Sequence, residues 1–258
     1  METENVSTAI PAARNFFKAV TLLVVLFLLV ASLDLLFYFP AKLLHLSSFN
    51  PLVSNALALL ILIFVIKPKA RLYKDYFNAK IPIQLYFFIV LISILLMIIT
   101  LPLISMLPVI YDTKSDLKGT NTSFLIIYGS LIIPILEEIF FRGIILDDFL
   151  RIYSFKKAII YSSLLFAVVH INPAMIVSAF LGGLIMGWLY YKTKTLIPCI
   201  LLHATTNALY GIINNYLSPN GAIFNNHSSL YIIFYIICLC CFVFILILAM
   251  NIKYFSLK

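Results

Sequence analysis

Apolar runs of near-bilayer length follow one another through almost the whole of this chain. They lie at about Phe16–Phe39, Leu52–Ile66, Ile83–Ile110, Ser123–Leu146, Ala158–Ile171, Ala174–Tyr191, Leu196–Ile213 and Leu230–Asn251. A helix of about 20 residues crosses a hydrocarbon core, and only structures that satisfy their own backbone polar groups are stable there. The runs therefore predict an all-α fold, a polytopic transmembrane helical bundle of about eight spans. The second and fifth are short and rely on their flanks, and the third is expected to kink at Pro102 and Pro108. The first is too long for the apolar region of a signal peptide and reads as a signal anchor. With 63% of the 258 residues hydrophobic and 11% charged, no stretch remains for a separate soluble domain.

The formal charge of +8 raises nucleic acid as a partner, but its distribution argues for topology instead. With the N-terminus inside, the cytoplasmic segments hold Arg14, Lys18, Lys67, Lys69, Arg71, Lys74, Lys80, Arg151, Lys156, Lys157, Lys192, Lys194, Lys253 and Lys258. The external segments hold Lys42, Lys114 and Lys118. Fourteen against three is a positive-inside bias, so both termini are expected in the cytoplasm. The expected partners are membrane lipids and a peptide or membrane-protein substrate, with no nucleic acid. Heavy use of Ile, Phe, Tyr, Asn and Lys hints at an AT-rich bacterial genome, which would place the protein as multi-pass in the plasma membrane. Cys199, Cys238, Cys240 and Cys241 all lie in apolar runs and read as packing residues, since neither a disulfide framework nor a zinc finger has that spacing. The chain divides into a polar, disordered tail (1–15), three N-terminal spans (16–122), a core of four spans (123–213) and a last span with a short tail (214–258).

Within that core the stretch Leu136-Glu137-Glu138-Ile139-Phe140-Phe141-Arg142 puts two acids and a guanidinium into an apolar run. Each such group costs at least about 2.5–3.5 kcal/mol at the bilayer centre, so the three need partners. Glu138 and Arg142 are four apart and share a helical face, while Glu137 points about 100° away. Two further polar sets lie at depth: Phe166-Ala167-Val168-Val169-His170, and His203-Ala204-Thr205-Thr206-Asn207, in which His203 and Asn207 share a face. At 1.5 Å per residue, Glu137 lies about 21 Å from Arg151, His170 about 20 Å from Lys157 and His203 about 13 Å from Lys194. Three helices could thus converge on one polar pocket. Between them Ala179, Gly183 and Gly187 form a small-residue groove that draws the fifth and seventh spans together.

A carboxylate beside neutral imidazoles can hold and deprotonate a water, directly or through a metal. A second imidazole with a neighbouring amide can donate to a developing oxyanion. One carboxylate with two imidazoles also matches an open zinc site, here Glu137, His170 and His203, although the His-Glu-x-x-His spacing is absent. Zinc and no cofactor both stay open. Structural readings stand beside these. A Glu–Arg pair can simply tie helices together, and a lone membrane histidine can be structural or relay protons. His45 and His227 read as external surface residues, Asp147 and Asp148 as solvated at the inner interface. Asp34 is unassigned, and nothing marks Cys199 as a nucleophile.

The three motifs together resemble the CPBP family of intramembrane proteases, related to type II CAAX prenyl endopeptidases and bacteriocin-processing or immunity proteins, also called the Abi family. Its signature is EExxxR, then FxxxH, then HxxxN, each on its own transmembrane helix. The chain matches with Glu137-Glu138 to Arg142, Phe166 to His170 and His203 to Asn207, over about residues 123–213. The resemblance implies peptide-bond hydrolysis within or beside the bilayer. It implies water activation by Glu137 and His170, oxyanion stabilisation by His203 and Asn207, and ordering of the site by Glu138 and Arg142. A small peptide precursor or a membrane-protein segment is the expected substrate. The same resemblance permits a non-proteolytic role in bacteriocin self-immunity or in regulating a membrane sensor. A small transporter or proton relay draws on the same buried charges but lacks a substrate-sized polar lining in the other spans.

Overall fold

The computed structural model describes residues 6–43, 51–66, 81–106, 126–170, 173–213 and 236. Among these residues the chain is helical, with no strand: α1 (Val6–Leu43), α2 (Pro51–Ile66), α3 (Ile83–Met106), α4 (126–150), α5 (Phe155–Val168), α6 (Pro173–Thr193) and α7 (Ile197–Ile212). Among the described residues three segments are long and apolar enough to cross a membrane: Asn15–Phe37, Ile83–Thr100 and Met175–Thr193. Val53–Ile66 and Ile197–Ile212 are shorter apolar helices. The expected fourth span coincides with α4, which is helical throughout 126–150. The fifth, expected to be short, is the 14-residue helix α5, about 21 Å of helix against a core of about 30 Å. The expected span at Leu230–Asn251, His45, His227 and the cysteines at 238, 240 and 241 lie outside the described residues.

Two expectations change in α1 and α3. The tail expected to be disordered over 1–15 is helical from Val6. Its alanines at 9, 12 and 13 favour helix, and the span that follows already bears the cost of nucleation. α3 runs on through Pro102 to Met106, while Pro108 lies outside the described residues. The outer faces of α1 to α3 carry Phe17, Leu28, Leu35, Phe64, Phe87 and other exposed apolar side chains, as a lipid-facing surface requires.

Packing places α4 among α2, α5 and α7, while α3 lies against α6 and α7 and α1 lies against α2. The broadest helix–helix contact is between α5 and α6, at the small-residue groove. A Cβ on Gly183 would sit 3.0 Å from Ser163 Cβ, and one on Gly187 3.0 Å from Ile159 Cγ2. At both positions an added methyl would fit only if its neighbour on α5 gave way by a few tenths of an ångström.

One end of the bundle gathers aromatic and charged side chains from several helices. Phe16 meets Phe149 and Tyr161 at centroid distances of 6.3 and 5.9 Å. Phe155 stacks on Tyr191 at 4.7 Å. Lys18 pairs with Asp148 at 2.9 Å and Arg151 with Asp147 at 2.7 Å, while the Tyr190 hydroxyl donates to Asp147 at 3.2 Å. Asp147 and Asp148 are partly exposed there, each in an ion pair at the surface.

Helix α4 is not a plain α-helix. Wide π turns occupy Tyr128–Ile132 and Ile139–Leu146, with α-helix at Ile133–Glu138 and Asp147–Leu150. Pro134 accounts for the first π turn. It has no N–H, and its ring clashes with the carbonyl four residues earlier, so the preceding turn widens. The N–H of Ile133 bonds to the carbonyl of Tyr128, five residues back.

Candidate active site

Glu137 and Glu138 close the α-helical segment of α4, and Arg142 lies in the π segment that follows. All three are buried. Arg142 Nη1 donates to Glu138 Oε1 at 2.8 Å, the pair expected from their spacing. The guanidinium also lies over the face of Phe166, 4.3 Å from its centroid, and Nη2 reaches the Gly183 carbonyl at 3.5 Å. A desolvated cation–π contact contributes about 2 kcal/mol. The Phe166 ring thereby helps Glu138 hold a charge that lipid would otherwise expel. Glu138 Oε2 and Arg142 Nε are buried with no hydrogen-bond partner among the described residues. Each such group costs about 1–3 kcal/mol, so the array retains unused polar capacity.

From α7, His203 enters between the two glutamates. Its Nδ1 lies 2.9 Å from Glu138 Oε1, and its Nε2 lies 3.7 Å from Glu137 Oε2. A carboxylate only accepts, so the proton of that first contact sits on Nδ1. Glu138 therefore sets the ring's orientation and turns Nε2 towards Glu137. The second distance is too long for a hydrogen bond, and it brings the acid and the imidazole into one site, as the three-helix convergence requires.

His170 sits in the turn just past the end of α5. Its Nδ1 is 2.9 Å from the Phe166 carbonyl. A carbonyl also only accepts, so Nδ1–H donates and Nε2 keeps its lone pair. Phe166 links the parts of the site. Its ring meets His170 edge-on at 4.9 Å and His203 at 5.6 Å, and it packs against Phe141 at 5.1 Å. One buried ring thus touches a polar residue from each of the three motifs. Its place in the FxxxH motif marks Phe166 in the sequence, but no role follows from that place.

Asn207 lies one turn beyond His203, and its Nδ2 donates to the Gly129 carbonyl at 3.1 Å. The thiol of Cys199 donates to the Met186 carbonyl at 3.2 Å, and the side chain is fully buried, a packing role. Among the described residues no three His, Cys, Asp or Glu side chains stand together as a metal-holding group.

Residues 119–209 match the family model described as type II CAAX prenyl endopeptidase Rce1-like. All three motifs fall inside that match, which covers most of α4 to α7. No curated protein and no solved structure matches the chain.

Proposed function

From a chain whose residues 119–209 carry the Rce1-like match, we propose an intramembrane endopeptidase that hydrolyses a peptide bond in a small peptide precursor or a membrane-protein segment. The observation that carries this reading is the continuous array Arg142–Glu138–His203–Glu137, built from two helices, with contacts of 2.8, 2.9 and 3.7 Å. Glu138 and Arg142 neutralise each other and orient His203. Glu137 is then the carboxylate left to take a proton from water as its oxygen adds to the scissile carbonyl. His170 presents an unprotonated Nε2 as a second acceptor for that water. When His203 carries both protons, Nδ1–H stays on Glu138 and Nε2–H is the donor for the tetrahedral oxyanion. Collapse of the intermediate breaks the C–N bond, and the proton held by Glu137 passes to the departing amine.

The basic end of the bundle, with Lys18, Arg151 and Lys194, is assigned to the cytoplasm, and the protein to a bacterial plasma membrane. The contacts that gather the start of α1, the end of α4 and the end of α6 support this orientation.

The test is cleavage of a defined mixture of membrane peptides in proteoliposomes, read by mass spectrometry. Glu137→Ala and His170→Ala should each lower the rate on the order of 10²–10⁴-fold while leaving the folded yield intact. Wild-type rates in either variant would remove the catalytic assignment. The hydrogen bond from Asn207 to Gly129 favours a second reading, because it engages an amide donor that an oxyanion would need. In that reading the chain acts by binding, in bacteriocin self-immunity or sensor regulation, and Glu137→Ala would keep the protective or regulatory phenotype.

A further inference from the structure

Pro134 and Asn207 lie on different helices, yet each supplies half of one hydrogen-bonding problem. In the π turn of α4 the N–H of residue 133 reaches the carbonyl of residue 128. The next bond in that register would run from residue 134 to the carbonyl of Gly129. Residue 134 is proline and has no N–H. A carbonyl left without a donor at membrane depth is costly, because no bulk water is there to replace it. Asn207 Nδ2 stands 3.1 Å from that same Gly129 oxygen.

We infer that Asn207 is the substitute donor for the N–H that Pro134 lacks, and that Pro134, Gly129 and Asn207 form one positioning unit. The unit locks α4 to α7 one turn away from His203. It thereby sets the rotation at which Glu137 and Glu138, three and four residues past Pro134, meet the imidazole. An asparagine amide has two hydrogens. The bond to Gly129 uses one of them. The contact uses the Gly129 carbonyl alone and does not depend on glycine, since a Cβ there would meet nothing within 4 Å among the described residues. The consequence for hydrolysis rests on the function proposed above, whereas the hydrogen bond itself does not.

The experiment is a double-mutant cycle on the full chain in detergent, with Asn207→Ala, Pro134→Ala and the pair. Asn207→Ala should lower the thermal midpoint. Adding Pro134→Ala supplies a backbone N–H, and the double variant should recover most of that loss. In infrared difference spectra of protein carrying 13C-carbonyl glycine, Asn207→Ala should shift one glycine carbonyl band to higher frequency, and the double variant should return it. With peptide substrate, Pro134→Ala alone should lower kcat on the order of tenfold to hundredfold with KM unchanged, since it re-registers α4 and displaces the glutamates by about an ångström. Additive thermal losses together with an unmoved glycine band would overturn the inference. If Glu137→Ala cleaves like the wild type, the hydrolase reading fails by itself. The thermal cycle and the carbonyl band then still decide whether Asn207 replaces the missing donor.

Discussion

In α1 and α3 the hydroxyls of Thr21, Ser32, Ser93 and Thr100 turn back onto carbonyls three or four residues earlier in their own helix. In α4 to α7 the hydroxyls of Ser163, Thr193 and Thr206 do the same, but other polar groups reach across: His203 to Glu138, Asn207 to Gly129, Ser162 to the Phe141 carbonyl and Cys199 to the Met186 carbonyl. The first habit lets a polar side chain exist in lipid without saying where the neighbouring helix must be. The second specifies that neighbour's depth and rotation, which is what a reaction site requires. The spanning segments of α1 and α3 are more apolar than that of α6, and these crossing contacts, unlike the Lys18–Asp148 pair at the charged end, join α4 to α7 to one another.

The largest expected effect tests that contrast at its strongest point. Arg142→Leu leaves the Glu138 carboxylate buried without its cation, held by His203 alone, and removes the guanidinium from Phe166. The loss should be about 3–5 kcal/mol, seen as a much lower unfolding midpoint in detergent or as lost folded yield. Glu138→Gln combined with Arg142→Leu should cost less than Arg142→Leu alone, because no unpaired charge remains. If Arg142→Leu melts like wild type, the crossing contacts do not organise α4 to α7 and the contrast collapses.

That array is partly legible in the sequence, and the reasons differ from residue to residue. The spacing of Glu138 and Arg142 predicts their pair because four residues make about one helical turn. The pairing of His203 with both glutamates is legible only as convergence, since depth along each helix says nothing about rotation around it. The donor role of Asn207 towards Gly129 is out of the sequence's reach. It depends on a π register that Pro134 imposes locally, and apolar periodicity does not report it. The helical start at Val6 is hidden because a polar segment adjoining a long span inherits its helix, whatever its own composition. Phe166 is visible as a letter in a motif. Its contacts with Arg142, His170 and His203 follow from tertiary packing alone.

Phe166 also gives the next test. Phe166→Leu keeps the site apolar but removes the ring face beneath Arg142 and the ring edges beside both histidines. Stability should fall by about 2 kcal/mol, the weight of a desolvated cation–π contact. With peptide substrate, kcat should fall by roughly 10²-fold with KM little changed, as misplacement of catalytic groups by about an ångström does. A KM effect alone would show that the ring touches substrate instead of aligning the three motifs.

A smaller effect separates two neighbouring glycines on α6. A methyl on Gly183 would press on the Ser163 Cβ at 3.0 Å and its Cα at 3.2 Å, both fixed to the α5 backbone. Gly183→Ala should therefore cost on the order of 1–2 kcal/mol in the unfolding midpoint, within the usual cost of overpacking. A methyl on Gly182 would meet Leu96 Cδ2 at 3.6 Å and Met186 Cε at 3.7 Å, ordinary contacts with flexible side-chain ends. Gly182→Ala should be close to neutral. Equal effects at the two positions would mean that the α5–α6 seam is no tighter than the α3–α6 contact.

The smallest prediction concerns Ser93, where the two habits meet. Its hydroxyl lies 2.8 Å from the Ile89 carbonyl in its own helix and 3.5 Å from the Leu202 carbonyl on α7. The shorter contact is the hydrogen bond, and the longer one is at the limit of the geometry. Ser93→Ala removes a donor and leaves Ile89 with its backbone bond intact, so the cost should stay near ~0.6 kcal/mol, the average for such bonds between membrane helices. Activity should be unchanged, because α7 is already placed by His203 and Asn207. A loss of activity without a loss of stability would show that Ser93 helps to set the depth of α7. The division between the two parts of the bundle would then have to be redrawn to include α3 with the site.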